Sequence, residues 1–170
     1  MVKKNNSNKK YNLRYLPKKL TKKDRKIQIN MLSKSKKMYK KGKYFTRKSL
    51  KSYKSKPSSH VIKAKKMYNV SKIIPNNELV IKSGCTKKTL EKIISKGKGA
   101  YYSSGSRPNQ TPQSWGIARL ASALTSGKSA AVDYKILTEG CKRNSKGYNS
   151  AINAKKKYGY GTRKAPKVYP

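Results

Sequence analysis

Residues 97–133 read GKGAYYSSGSRPNQTPQSWGIARLASALTSGKSAAVD, the least charged long stretch of a very basic chain. The stretch begins with glycine and serine residues that are typical of a loop. Thr111 and Pro112 then predict a helix start, because threonine is a good N-cap and proline is tolerated at the first helical position. This helix carries the residues that we expect in the core, Trp115, Leu120 and Leu124. We therefore expect the loop and the helix to form the centre of the fold.

The loop ahead of this helix has two interpretations. It is either a plain connection between helices or a site for an anion, since a helix N-terminus offers free N–H groups and the positive end of the dipole. The side chains that would contact an anion or a partner there are Arg107, Lys98, Ser103, Ser104 and Lys128. The tripeptide Gly127-Lys128-Ser129 resembles the end of a P-loop, but no glycine stands five residues before Gly127. We therefore predict no nucleotide site of that kind.

Charge is the most unusual property of the chain. Its 170 residues include 45 lysines and arginines but only five acidic residues, which gives a net charge of +40. Residues 1–70 hold 25 of the basic residues, residues 71–138 hold 11 and residues 139–170 hold nine. A chain this positive repels itself unless a polyanion lies close to it. We therefore expect the partner to be a nucleic acid, an anionic membrane face or an acidic protein surface.

Periodicity and turn residues predict a mainly α protein, a small multi-helix domain with extended basic N- and C-terminal arms. We expect a basic arm over 1–20, a basic helix and an extended segment over 21–57, a compact helical core over 58–141, and a basic helix with a tail over 142–170. An αα-hairpin is predicted near 77–96. A helix-turn-helix is the alternative there, but its second helix lacks the arginine, asparagine and glutamine side chains that read base edges.

Capping residues and glycines predict the helix boundaries. Thr21, with an acidic residue three positions later, predicts a helix start. The second helix of the hairpin is expected to end at Gly97, where the loop would begin. A single helix is predicted through residues 130–137, stopping at Gly140, and a last, weaker helix is predicted over 145–158.

Aromatic residues are interleaved with lysine and serine over residues 43–57, KYFTRKSLKSYKSKP. This pattern suits single-stranded nucleic acid, whose bases stack on aromatic rings. It equally suits a lacing segment whose tyrosines fill pockets on another protein, or simple packing within the fold. Across the chain, the residues that we select as interface anchors are Tyr11, Tyr15, Tyr44, Phe45, Tyr53, Tyr160 and Tyr169.

The sequence offers little material for catalysis or metal binding. The five acidic residues are scattered and His60 is the only histidine, so we predict no enzyme activity, no metal site and no cofactor. Cys85 and Cys141 are most simply two buried reduced thiols, and a disulfide between them is the alternative. No apolar run is long enough to span a membrane, and the N-terminus has no apolar signal core.

The blocks SSGSRPNQ, SWG and ARLAS within residues 103–122 carry a resemblance to a known family. Together with YLPKKLTKKDRKIQ, SSHVIKAKKMY and SGCTKKTLEKI, they resemble a domain of unknown function found in small basic proteins of large nucleocytoplasmic DNA viruses, with shorter relatives in phages and bacteria. The resemblance covers about residues 14–141 and includes no catalytic motif. It implies a viral origin and a place in the virion, and it does not by itself imply a chemistry.

Two hypotheses on function follow from these observations. In the first, the protein is a minor capsid protein whose basic, tyrosine-bearing arms bind acidic surfaces of the major capsid protein and of other minor capsid proteins. It would lie on the inner side of the capsid shell, where it would also be able to touch an inner membrane face, after passing through the host cytoplasm or nucleus. In the second, it packages and neutralises the viral DNA.

The basic and aromatic residues of the sequence favour the first hypothesis. Lysine outnumbers arginine 38 to seven, although bidentate phosphate contacts prefer arginine. The thirteen tyrosines point the same way, because tyrosine is enriched at protein interfaces. Net charge alone favours DNA, since phosphate binding scales with the number of lysine contacts.

Overall fold

The computed structural model describes residues 9–159, 161 and 166–170. These residues form eight helices and one two-stranded sheet, so the predicted mainly α class is confirmed. In chain order the elements are β1 (Tyr11–Asn12), α1 (Lys22–Lys40), α2 (Ser59–Tyr68), α3 (Asn77–Ser83), α4 (Lys87–Ser103), α5 (Pro112–Leu124), α6 (Lys128–Val132), α7 (Tyr134–Gly140), α8 (Lys146–Tyr158) and β2 (Lys167–Val168). The two strands pair antiparallel.

Polar caps explain where three of the helices begin. The side chains of Thr21, Asn76 and Ser145 each accept a hydrogen bond from the backbone N–H three residues later, which satisfies a donor that the helix leaves free. Gly84 ends α3 with a φ of 74°, a left-handed conformation that glycine adopts at little cost. The helix start predicted at Thr21 is therefore confirmed, and the two helices predicted near 77–96 correspond to α3 and to the first part of α4.

The chain divides into two compact units. The first unit combines three stretches that are far apart in sequence, residues 9–55, 100–111 and 166–170. Its core is a small cluster of buried apolar side chains, Leu16, Leu20, Met31 and Leu50. Val168, from the last of the three stretches, packs against this cluster, so distant parts of the chain contribute to one core.

Part of the expected N-terminal arm is folded rather than extended. Leu16 is fully buried and Leu20 is nearly so, which places the described residues 9–20 in the first unit. The segment that follows α1 is also fastened to this unit, because Leu50 is buried there. Burial of a leucine side chain contributes roughly 1.5–3 kcal/mol, which opposes the mutual repulsion of the lysines around it.

The second unit comprises residues 56–99 and 112–159 together with Gly161. Its centre is α5, which contacts α2, α6 and α8. The side chains that are completely buried in its core include Ala64, Leu79, Leu90, Ile93, Leu120, Leu124, Ala130, Leu137, Ala151 and Ala154. This core therefore combines small alanine side chains with large leucine and isoleucine side chains.

The helix predicted within residues 97–133 lies at the centre of this core. α5 begins at Pro112, as predicted, and its Leu120 and Leu124 are fully buried. Trp115 is only partly buried. The core also extends past the expected boundary at residue 141, because Ala151 and Ala154 of α8 are buried against it.

Gly97 does not end a helix, which corrects the expected boundary. α4 continues through Gly97 to Ser103. A Cβ atom built on Gly97 would lie 2.6 Å from the Cα atom of Gly116 in α5. The glycine therefore allows two helix backbones to approach closely. An interpretation of Gly97 as a turn residue misses this role.

The helix predicted through residues 130–137 is in fact two helices, α6 and α7. They meet at Asp133, whose backbone adopts φ −95° and ψ 19°, the sparsely populated region between helix and strand. The Asp133 side chain is fully buried, and its carboxylate accepts hydrogen bonds from Lys96 at 2.7 Å and from Arg119 at 2.9 Å. The break thus accompanies a buried ion pair that the sequence pattern does not reveal.

Cys85 and Cys141 form a disulfide bond, so the expectation of two reduced thiols is wrong. The two cysteines face each other as an isolated antiparallel bridge between the turn after α3 and the turn after α7. On one side of the pair the Thr86 N–H donates to the Gly140 carbonyl oxygen at 2.9 Å, and on the other side the Lys142 N–H donates to the Gly84 carbonyl oxygen at 2.8 Å. Cys85 and Cys141 are thus a non-hydrogen-bonded pair of antiparallel chains, the type of pair in which facing side chains are closest.

Replacing Gly116 with alanine is expected to destabilise the protein by about 1–3 kcal/mol, the usual cost of overpacking. The added methyl group would stand 2.7 Å from the carbonyl oxygen of Ile94 and 2.9 Å from its Cγ2 atom. Denaturant unfolding of the full chain, followed by circular dichroism, measures the change. The matched control is Gly161→Ala, because a Cβ atom there meets nothing within 4 Å. Equal stability of the two variants would contradict the close helix crossing.

Candidate partner-binding surface

Basic residues occur in both units, whereas acidic residues are concentrated in the second. Among the described residues, the first unit holds 21 lysines and arginines with one acidic residue, Asp24, and the second holds 20 with four. The ion pairs between described residues all lie in the second unit: Lys82–Glu78, Lys87–Glu91, Lys135–Glu139, Lys96–Asp133 and Arg119–Asp133. Among the described residues, the positive charges of the first unit are therefore less neutralised by acidic side chains than those of the second.

Asp24, the acidic residue of the first unit, is engaged by a backbone segment. Its carboxylate accepts hydrogen bonds from the Ser52 hydroxyl at 2.6 Å and from the Ser52 backbone N–H at 2.8 Å. These two hydrogen bonds lower the pKa of Asp24 below its ordinary value. The carboxylate thus fixes the segment after α1 and stays charged while doing so.

Among the described residues of the first unit, Arg47 is the most buried cation, with 8% of its surface exposed. Its guanidinium donates hydrogen bonds to the Ser35 hydroxyl (3.0 Å), the Tyr101 carbonyl oxygen (2.9 Å) and the Ser106 hydroxyl (2.7 Å), and it lies 3.8 Å from the centre of the Tyr101 ring. All these partners are neutral. Burial therefore lowers the pKa of Arg47.

The contacts of Arg47 join three parts of the first unit. Ser35 belongs to α1, Tyr101 to the end of α4, and Ser106 to the loop that follows. The backbone N–H of Arg47 also donates to the Tyr101 hydroxyl at 2.9 Å. Leaving a buried guanidinium without its acceptors would destabilise the folded protein. The hydrogen bonds therefore hold the segment around residue 47 in one position.

Three tyrosines cluster beside this anchored position. The centre of the Tyr102 ring lies 4.9 Å from that of Tyr44 and 6.3 Å from that of Tyr39, and Tyr39 and Tyr44 are 6.2 Å apart. The buried Tyr101 ring meets Tyr102 edge to face at 5.1 Å. Tyr44 remains 69% exposed and Tyr39 37% exposed. We call Tyr39, Tyr44 and Tyr102 the tyrosine cluster. It presents aromatic rings to solvent, and the buried side chains beneath it are held by hydrogen bonds.

A basic cleft of about 110 Å³ lies in the same unit. Its lining consists mainly of lysine and hydroxyl-bearing side chains: Lys9, Lys10, Tyr11, Asn12, Tyr15, Leu32, Ser33, Lys36 and Ser104. No carboxylate is among these lining residues. The ammonium, hydroxyl and amide groups are donors that an oxyanion accepts from.

The residues expected to hold an anion are divided between the units. Ser104 lines the basic cleft, Ser103 is the last residue of α4, and Arg107 is exposed in the loop. Lys98 and Lys128 belong to the second unit. Within the loop, Gly105 has a φ of 120°, and a Cβ atom there would meet Leu32 and Tyr15 at 2.9–3.0 Å.

The expected interface anchors have two kinds of environment. Tyr11, Phe45 and Tyr53 pack against the first core cluster, and Tyr15 lines the basic cleft. Tyr44 and Tyr169 are exposed. Tyr160 lies outside the described residues.

Sequence reasoning missed Arg47, Tyr39 and Tyr102 as parts of this surface. Tyr102 lies after Gly97, where a loop is expected from the sequence, whereas α4 continues to Ser103. The adjacent pair Tyr101-Tyr102 and the arginine between the aromatics of residues 44–53 were the available signals. Neither signal tells which residues meet, because the contacts of Arg47 with Tyr101 and Ser106 join positions 54 and 59 residues apart.

The described residues gather no group of three histidine, cysteine, aspartate or glutamate side chains that would hold a metal ion. His60 lies in the first turn of α2, where burial and the charge of Lys63 lower its pKa, so its imidazole is neutral at neutral pH. None of the helices among these residues combines the length and apolar character that a membrane crossing requires.

One family model matches the chain, over residues 10–146, and its description is family of unknown function (DUF5824). No curated protein and no solved structure matches the chain. The matched range covers α1 to α7 and most of both units, including the tyrosine cluster and the buried Arg47. The chain therefore belongs to the DUF5824 family of unknown function.

Proposed function

We propose that this protein is a structural component of a virus particle, a minor capsid protein without catalytic activity. In this role it joins neighbouring capsid proteins by placing basic surfaces against their acidic ones. The resemblance of its SSGSRPNQ, SWG and ARLAS blocks to proteins of large nucleocytoplasmic DNA viruses supports a viral origin. A net charge of +40 supports binding to acidic surfaces, because complementary potentials steer and align partners.

The observation that carries this proposal is the set of apolar side chains exposed among lysines on the second unit. Ile81 of α3 is 79% exposed and Ile62 of α2 is 58% exposed. Met67 of α2 is also exposed, close in sequence to Lys65 and Lys66. Contacts to phosphate require no exposed isoleucine, whereas a protein interface combines an apolar centre with a polar rim.

The exposed tyrosines and the excess of lysine fit the same role. Tyr44 and Tyr169 present more than half of their surface to solvent, and tyrosine often provides much of the binding energy at protein interfaces. Lysine supplies a mobile point charge that suits carboxylates in varied positions, whereas arginine suits fixed bidentate contacts.

Binding to the viral genome is a second candidate function, and the charge of the first unit favours it. Its described residues combine 21 basic side chains with a single acidic one, which is itself engaged by Ser52. Each lysine placed against a phosphate releases a condensed counterion, so a protein of this type binds DNA with a steep dependence on salt.

Particles that lack DNA distinguish the two functions. A minor capsid protein is expected in filled and in empty particles at the same number of copies per major capsid protein, as measured by quantitative mass spectrometry. The double variant Ile62→Ser with Ile81→Ser is expected to lower this number, because it removes two exposed apolar contacts. Lys88→Ser, which removes one exposed cation of α4, is the matched control. Loss of the unmodified protein from empty particles would overturn the capsid function in favour of genome binding.

A further inference from the structure

We propose that the first unit carries a binding site for single-stranded nucleic acid, in which bases stack on the tyrosine cluster and phosphates lie against the neighbouring lysines. This inference goes beyond the proposed capsid role and does not depend on it. It also differs from neutralisation of the genome by charge alone, because it assigns contacts to the bases. It rests on the geometry of the three rings, on what fixes them and on the charges beside them.

The tyrosine cluster offers ring faces at a fixed place on the surface. The rings of Tyr39 and Tyr102 are nearly parallel, with an angle of 7° between their planes, and the Tyr44 ring is tilted by 53° to that of Tyr102. Tyr44 is the most exposed of the large apolar and aromatic side chains in the described part of the first unit. A base stacks on an exposed aromatic face whatever its identity, which makes such a site tolerant of sequence.

Hydrogen bonds of the buried layer hold the cluster in position. The Ser35 hydroxyl donates to the Tyr102 carbonyl oxygen at 3.1 Å, and the Arg47 guanidinium donates to the carbonyl oxygen of Tyr101. Tyr101 is fully buried and supports the Tyr102 ring edge to face. Because Tyr44 is only three residues from Arg47, its backbone is restrained by the same anchor. The backbone that carries the rings is therefore ordered before a ligand binds, which reduces the entropic cost of binding.

Donors for phosphate lie next to the rings. Lys36 lines the basic cleft and stands one helical turn before Tyr39 on α1, so the two side chains project from the same side of the helix. Ser104 lines the cleft too and follows Tyr102 by two residues. The cleft volume of about 110 Å³ is several times the roughly 10–15 Å³ that one water requires, which leaves room for a phosphate group.

The combination selects single strands over the other polyanions. A duplex presents phosphates to the lysines but keeps the faces of its bases stacked inside, so the rings of the cluster gain nothing from it. An acidic peptide likewise presents carboxylates and few flat faces. Only an unpaired strand supplies phosphates and exposed base faces together.

Fluorescence anisotropy with the full-length protein tests this proposal. A thymidine oligonucleotide of roughly 12 nucleotides, a length within the usual site sizes, is compared with a duplex of the same length at one salt concentration. Tyr44→Ala is expected to weaken binding of the single strand about tenfold, which corresponds to the loss of one stacked base. Its affinity for the duplex is expected to stay within about twofold, since the charges are unchanged. Circular dichroism of the variant verifies that it is folded.

Two further variants separate stacking from other roles of the ring. Tyr44→Phe keeps the aromatic face and removes the hydroxyl, so it is expected to bind the single strand as the unmodified protein does. Ile81→Ala removes an exposed apolar side chain of the second unit, which belongs neither to the cluster nor to the basic cleft, and it is the control. It is expected to leave both affinities unchanged.

Three results would overturn the proposal. In the first, the unmodified protein binds duplex as tightly as single strand. In the second, Tyr44→Ala weakens both by the same factor, which would show that the ring acts without base contact. In the third, a glutamate-rich peptide competes for the protein with the same dependence on Tyr44, which would make the cluster a docking surface for acidic proteins. None of these results bears on the presence of the protein in empty particles.

Discussion

Removing the disulfide between Cys85 and Cys141 is expected to lower the free energy of unfolding by about 4 kcal/mol. The bond closes a loop of 56 residues, and the loss of chain entropy in the unfolded state sets a stabilisation of this size. The double variant Cys85→Ala with Cys141→Ala, compared with the oxidised protein in urea unfolding, measures the effect.

A reducing agent provides the internal control for this comparison. It is expected to destabilise the unmodified protein to the level of the double variant and to have no effect on the variant itself. A reductant that left the stability of the unmodified protein unchanged would refute the bond as a stabilising link.

Arg119→Met is expected to lower the free energy of unfolding by about 3 kcal/mol. The variant keeps most of the apolar stem but deprives the fully buried Asp133 carboxylate of two hydrogen bonds of 2.9 Å. Breaking one side of a buried ion pair typically costs about 3–5 kcal/mol, and the lower end applies here because Lys96 still reaches the carboxylate. Thermal and urea unfolding of the full chain measure the loss.

Lys135→Met is the matched control for this prediction. It makes the same type of change in the ion pair with Glu139, whose two side chains are 87% and 66% exposed. Exposed pairs contribute little, so the control is expected to alter stability by less than about 1 kcal/mol. Similar losses in both variants would mean that burial of Asp133 does not strengthen its pairing.

Local signals in the sequence predicted the helical class and several helix starts. Thr21 and Pro112 act through contacts within a few residues, so their sequence context contains the whole cause. Gly97 shows the opposite case, because a glycine serves either a turn or a close helix crossing, and the choice depends on Gly116, which is 19 residues away. Asp133 interrupts the helical periodicity of residues 130–137. The cause is its buried ion pair with Lys96 and Arg119, which are distant in sequence, so neighbouring residues give no signal of it.

The candidate surface was harder to predict than the fold. The sequence indicated that basic and aromatic residues occur together over 43–57, and Tyr44 was selected from them. It did not indicate that Arg47 is buried or that Tyr39 and Tyr102 join Tyr44. The contacts of Arg47 with Tyr101 and of Tyr44 with Tyr102 join stretches more than fifty residues apart, and no spacing rule within one stretch encodes them.

The assembly of the first unit from residues 9–55, 100–111 and 166–170 has a consequence for inheritance. No single cut of the gene transfers this unit to another protein, because a fragment ending at residue 55 would leave the Arg47 guanidinium without Tyr101 and Ser106. Recombination would therefore have to move the larger helical unit with it. Selection that maintains the binding surface of one unit therefore also maintains the other unit. We expect relatives to gain or lose both units together.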